Sequence, residues 1–99
     1  MEESATSSPF RSAWDVALVA RAFEGVSRFD EFRCELGISR QVLAERLREL
    51  VAEGILRRSR YQVRPDRYEY VLTAKGRDLR SVIEAMASWH QRWSSAGVG

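Results

Sequence analysis

"LGISRQVLAERLRELVAEG", Leu36 to Gly54, decides how this chain folds. Leu43, Leu47, Leu50 and Val51 recur at spacings of four and three, the period of a helix with one buried face. Ser39 stands where an N-cap belongs, since its hydroxyl can accept from an amide of the first turn. Gly54 ends the helix, and Gly37 stops whatever precedes it. At about 100° per residue, Gln41, Ala44, Glu45, Arg48 and Ala52 fall on the side away from the leucines. That outer face carries two alanines, so it can approach another surface closely.

Upstream, "SRFDEFRCELG" predicts a short helix led in by Ser27 or Arg28, with Phe29, Phe32 and Leu36 on one face. Before it, Phe10 to Glu24 reads as a helix closed by Gly25. Its stripe is Trp14, Ala17, Leu18, Arg21 and Ala22, widened by Val19 and Phe23. Downstream the period changes. "ILRRSRY" and "RYEYVLT" are β-branched and aromatic, with a turn at "VRPDR", and Tyr68, Tyr70 and Leu72 alternate on one face. Thr73 then caps a final helix striped by Leu79, Val82, Ile83, Met86, Trp89 and Trp93. The expected fold is mainly α with a small β-hairpin, in the order α-α-α-β-β-α. Two helices joined by the tight "LGIS" connection and followed by a hairpin read as a winged helix-turn-helix.

The hairpin is crowded with arginine. From Arg57 to Tyr68 there are five arginines, Arg57, Arg58, Arg60, Arg64 and Arg67, against one acid, Asp66. Net charge is only +2, but fifteen of the sixteen bases are arginine. A G- and C-rich genome would bias codons that way; it would not cluster the arginines on one turn. A wing leaves its tip in solvent, where guanidinium desolvation costs little. Laid along a duplex, Arg64 and Arg67 reach phosphates or a minor groove, and Arg58 and Arg60, sharing one strand face, follow the backbone. On the third helix, Gln41 can pair with adenine, Arg48 with guanine, and Glu45 can accept from cytosine, while Ala44 lets the helix in. Ser39 and the free amides beside it can hold a phosphate, with Arg40 adding charge. The bland alternative is a solvated face whose charges only tune helix stability.

Ninety-nine residues suffice for one domain. The expected division is a disordered tail over 1–9, a winged helix domain over 10–93, and a flexible tail or truncated linker over 94–99. A lone cysteine, Cys34, excludes an intrachain disulfide and suits a reducing compartment. Between Phe32 and Leu36 it reads as a buried or half-buried filler. No apolar run is long enough to span a membrane and no signal peptide is seen, so the expected location is cytoplasmic and nucleoid-associated. His90, the only histidine, lies between Trp89 and Trp93 with no catalytic partner. The expectation is therefore no enzyme, no metal and no cofactor. The terminal helices carry more large apolar residues than so small a domain can cover, which predicts a homodimer through Trp14, Leu79, Val82, Ile83, Met86, Trp89 and Trp93. The same seam could hold a small aromatic effector between Trp14, Met86 and Trp89. A winged-helix protein-interaction or dimerisation module without DNA binding is the alternative reading; such an adaptor would not need the basic face.

Taken together, Trp14, "RFDEF" (Arg28–Phe32), "GIS", "LAERLRELVAEGIL" (Leu43–Leu56), Tyr61, "RPDRYEY" (Arg64–Tyr70) and "LTAKG" (Leu72–Gly76) resemble the HxlR-type winged helix-turn-helix transcription regulators, related in architecture to the MarR group. The likeness covers Phe10 to Trp93. It implies a homodimer, built from the first and last helices, that binds double-stranded operator DNA. Two departures stand out. Many relatives carry a cysteine ahead of the first helix, where this chain reads "SSPFRSAW", and many have Gly-Lys or Gly-Arg before the tryptophan, where this chain has Ser12-Ala13.

Overall fold

The structure is a computed structural model and describes residues 10–98. The expected 1–9 tail lies outside those residues. Helix α1 spans Ala13–Phe23, α2 Phe29–Leu36 and α3 Arg40–Ala52; strands β1 (Leu56–Gln62) and β2 (Arg67–Leu72) pair antiparallel; α4 (Ala74–Arg77) and α5 (Arg80–Val98) follow. The fold is mainly helical with one two-stranded hairpin, in the order read from the sequence.

The core is the leucine stripe of α3 closed from three sides. Leu43, Leu47 and Leu50 meet Leu18 and Val19 of α1, Phe32 of α2, and Ile38, Ile55 and Leu56 from the connections and β1. Each of these is at most 3% exposed, so apolar burial holds α3 in place. The α3 cap forms as its sequence dictates: Ser39 Oγ accepts from Val42 N–H at 3.2 Å. Gly37 and Gly54 take φ of +63° and +79°, the left-handed geometry that ends α2 and lets the chain turn from α3 into β1.

Helix α1 departs from its expected stripe. Its buried residues are Asp15, Leu18 and Val19, while Trp14 is 38% exposed. The buried face is thus rotated by one residue, and a carboxylate lies in it. The final helix also differs. Thr73 caps only the single turn α4: its hydroxyl accepts from Gly76 N–H at 3.0 Å and donates to the carbonyls of Gly54 and Ile55. Lys75 Nζ donates to Glu53 O at 2.7 Å. These bonds pin α4 to the end of α3, and the chain then turns at Asp78–Leu79 before α5 begins. Helix α5 continues to Val98, beyond the boundary the sequence reading puts at Trp93.

The N-terminus of α2 is capped by a carboxylate. Glu31 Oε1 accepts from the amides of Arg28 at 3.0 Å and Ser27 at 3.2 Å. Those backbone bonds, Arg28's first, hold the Glu31 carboxyl below its ordinary range. A depressed carboxylate stabilises the fold above its unfolded pKa, and the contribution fades as pH falls through the folded value. Glu31→Gln is therefore expected to melt below the wild type at pH 7 and to converge with it as the pH falls through the depressed folded-state value. A gap that stayed constant or widened on acidification would contradict this.

Candidate nucleic-acid interface

Strand register puts Arg58, Arg60, Tyr68 and Tyr70 on one face of the hairpin. Arg58 pairs across from Tyr70 and Arg60 from Tyr68, and residues directly opposite in a ladder share a side. The Arg58 guanidinium lies 4.2 Å from the centre of the Tyr68 ring, a stacking distance that fixes its fork. Arg60 is drawn toward the tip, 3.7 Å from Asp66. The register shifts between Arg60 and Gln62, so Tyr61 is an extra residue, and a bulge of this kind increases the twist of the wing. Arg64, at the tip, has a positive φ of 65°. Arg64 and Arg67 are both exposed, and among the described residues neither forms an ion pair.

The outer face of α3 stands open beside this hairpin. Gln41, Ala44, Glu45 and Arg48 are all exposed. Ala44, Arg48 and Val51 of α3, with Arg58 of β1 and Tyr70 of β2, line one cleft of about 430 Å³. The fold therefore brings the third helix and the base of the wing to a common site. Among the described residues Arg48 has no ion-pair partner; its charge is free for a ligand. At the start of α3 the amides of Arg40 and Gln41 precede the first intrahelical bond, from Leu43 N–H to Ser39 O at 2.9 Å. Such free amides can bind an anion. Arg40 itself leans back over the Phe29 ring, 5.5 Å away.

The wing has a third segment that no pattern in the sequence marks. Tyr70 N–H donates to Ser27 O at 2.7 Å, and Arg28 and Glu69 form an isolated antiparallel bridge. The lead-in to α2 thus lies against β2, and Arg28 stacks on Tyr61 at 4.3 Å. Ser27 and Arg28 are legible as the start of a helix; a single bridge residue carries no periodicity that would reveal the pairing.

Cys34 is exposed, contrary to its reading as a filler. It stands two residues from both Phe32 and Leu36, and half a turn of helix separates it from that inward face. With Asp30, Arg33, Gly37, Ile38 and Ser39 it borders a shallow groove. A thiol-directed dye should label the folded protein nearly as fast as the urea-unfolded chain, and Cys34→Ser should keep its fold. Strong native-state protection would show the thiol to be covered.

The terminal helices form a second, apolar site. Val82, Met86, Trp89 and Trp93 of α5 are between 42% and 57% exposed. Leu79 and Ile83, expected with them, pack against the chain's own core instead. Between α1 and α5 runs an open groove of about 530 Å³, lined by Val16, Ala20, Ile83, Met86, Trp89 and His90 among others. Trp14 does not line it; Val16 and Ala20, which the sequence reading passed over, do. No helix is long and apolar enough to cross a membrane among the described residues.

A helix-turn-helix over α2 and α3, followed by a basic hairpin beside the exposed face of the second helix, defines a winged helix-turn-helix domain. The chain belongs to the HxlR-like helix-turn-helix family, whose model matches residues 10–97. It is 42% identical over 76 residues to an uncharacterised HTH-type transcriptional regulator of Mycobacterium tuberculosis strain H37Rv, covering 77% of this chain and 48% of that one. The chain thus spans about half the length of the mycobacterial relative. It is 36% identical over 81 residues to the HTH-type transcriptional regulator YvaP of Bacillus subtilis, covering 81% of this chain and 75% of YvaP. Among solved structures it resembles the redox regulator HypR in its reduced form, with TM-score 0.82, 33% identity, and coverage of 90% of this chain and 89% of that one.

Proposed function

We propose that this chain is a sequence-specific, double-stranded DNA-binding transcription regulator that acts as a homodimer in the cytoplasm, associated with the nucleoid. The observation that carries the reading is the shared cleft, in which Arg48 of α3 and Arg58 of the wing face the same space. In this reading α3 enters the major groove. Gln41, Glu45 and Arg48 meet base edges, Ala44 permits close approach, and Ser39 and Arg40 meet the backbone. Arg58 and Arg60 follow phosphates, and Arg64 and Arg67 reach phosphate or a narrow minor groove. Membership of a regulator family, and the regulators this chain is similar to, support this use of the face.

The exposed stripe of α5, together with α1, supports dimerisation, because apolar side chains of that size left in water favour association. Trp14, Val82, Met86, Trp89 and Trp93 meet the partner in this reading, and Leu79 and Ile83 support them from behind. A small aromatic effector would enter the same α1–α5 groove. Sedimentation at micromolar concentration should give twice the chain mass; a clean monomer would contradict the dimer.

Salt-dependent binding isotherms test the DNA reading. Arg64→Ala and Arg67→Ala should each weaken binding to many duplexes alike. Each should flatten the salt slope by about one unit for every phosphate it leaves unneutralised, doubled for two chains. Unchanged affinity and slope would leave the wing a solvated surface and favour an interaction module without DNA binding.

A further inference from the structure

Among the described residues one polar side chain is buried in the core, Asp15, at 1% exposure. It stands in the first turn of α1, where its Oδ2 accepts from Arg11 N–H at 2.8 Å. That bond alone explains a carboxylate at a helix start, where the free amides favour negative charge. It does not explain the burial, since an exposed carboxylate caps as well. The second partner comes from α3: Arg46 Nη1 lies 3.5 Å from both carboxylate oxygens, and the Arg46 side chain is only 14% exposed.

We infer that the buried Asp15–Arg46 pair is a positioning device that fixes the roll of α3 against α1, and thereby the separation of the two third helices in the dimer. This rests on the dimeric DNA-binding reading above. Apolar packing of Leu43, Leu47 and Leu50 on Leu18 and Val19 is non-directional and tolerates small rotations. A charge pair in the core is directional, and apolar residues of similar volume in its place are often as stabilising, so fixing one register is its best-attested use. Arg46 leaves α3 on the inner side, two residues before Arg48 on the outer side, so any roll that Arg46 prevents would swing Arg48. Val16, next to Asp15, faces the α1–α5 groove. Helix α1 would therefore be held by the partner on one side and would hold α3 on the other. The Arg11–Glu53 pair also ties this segment to the end of α3, at 3.1 Å, but both side chains are open to solvent and such pairs fix little.

The test uses palindromic duplexes whose half-sites are moved apart or together by single base pairs, and a single half-site duplex for intrinsic recognition. Wild type, Asp15→Asn, the double variant Asp15→Leu with Arg46→Met, and the control Arg11→Ala are compared, each with its thermal midpoint. Wild type and Arg11→Ala should prefer one spacing by roughly tenfold, the scale of coupling between linked sites. The two pair variants should lose most of that preference while keeping half-site affinity, and the double variant should melt at or above the wild type. A folded double variant with the wild-type spacing preference overturns the inference and leaves the dimer reading standing. Collapse of both pair variants also overturns it, by making the pair a stability element. A wild type without any spacing preference removes the two-fold reading itself, and the inference with it.

Discussion

Replacing Gly76 with alanine is expected to destabilise the fold by about 3 kcal/mol or more, the upper range for forcing extra volume into a packed site. A Cβ at this position would stand 2.1 Å from the Ile55 carbonyl oxygen and 3.1 Å from its carbonyl carbon. Neither is a side-chain atom that can swing away. The α4 turn cannot lift off either, because Thr73 and Lys75 bind it to the carbonyls of Gly54, Ile55 and Glu53. For a domain of this size the melting midpoint should fall by roughly 10–20 °C at fixed chain concentration. Gly54→Ala is the internal comparison. It has φ +79° but meets nothing nearer than the Lys75 side chain at 3.7 Å, so its cost should be about 1–2 kcal/mol of backbone strain. Equal midpoints for the two variants would show that the crowding at Gly76 relaxes without cost.

That crowding illustrates what the sequence did not disclose. "LTAKG" was legible as a cap followed by a helix, and Thr73 does cap. The break after Arg77 was not legible, because it comes from the hydrogen bonds of α4 to the end of α3 and not from any residue that ends helices. Helix α3 was read almost completely, since its leucine spacing, its serine cap and its terminal glycine all agree. Its outer face followed by geometry alone. In α1 the apolar pattern was broad enough to be read one residue out of phase, and a buried aspartate gives no hydrophobic signal. The guanidinium of Arg46, thirty-one residues away, together with the Arg11 amide, makes its burial tolerable. The wing's arginines were evident from composition, whereas the pairing of Arg58 and Arg60 with tyrosines across the ladder required the register.

Arg48→Ala is expected to cost about 1–3 kcal/mol on the preferred operator, the range for one good bidentate base interaction, and to relax the choice of base at one position in each half-site. The side chain is exposed, faces the cleft shared with Arg58, and has no ion-pair partner among the described residues. Nothing in the fold depends on it, so the variant should melt with the wild type. Binding to scrambled duplex should weaken much less than binding to operator, which separates Arg48 from the wing arginines. An equal loss on both duplexes would make Arg48 a phosphate ligand. No loss on either would remove α3 from the interface.

If two copies of this chain read DNA with their third helices, the wild-type protein must select for symmetry. Selection of bound duplexes from a random pool, followed by sequencing, tests this most directly. The predicted result is a two-fold-symmetric consensus with half-site centres about 34 Å apart or a multiple of that distance, because a symmetric dimer must present both helices to one side of the duplex. A pool that shows no enrichment over unselected DNA would contradict it.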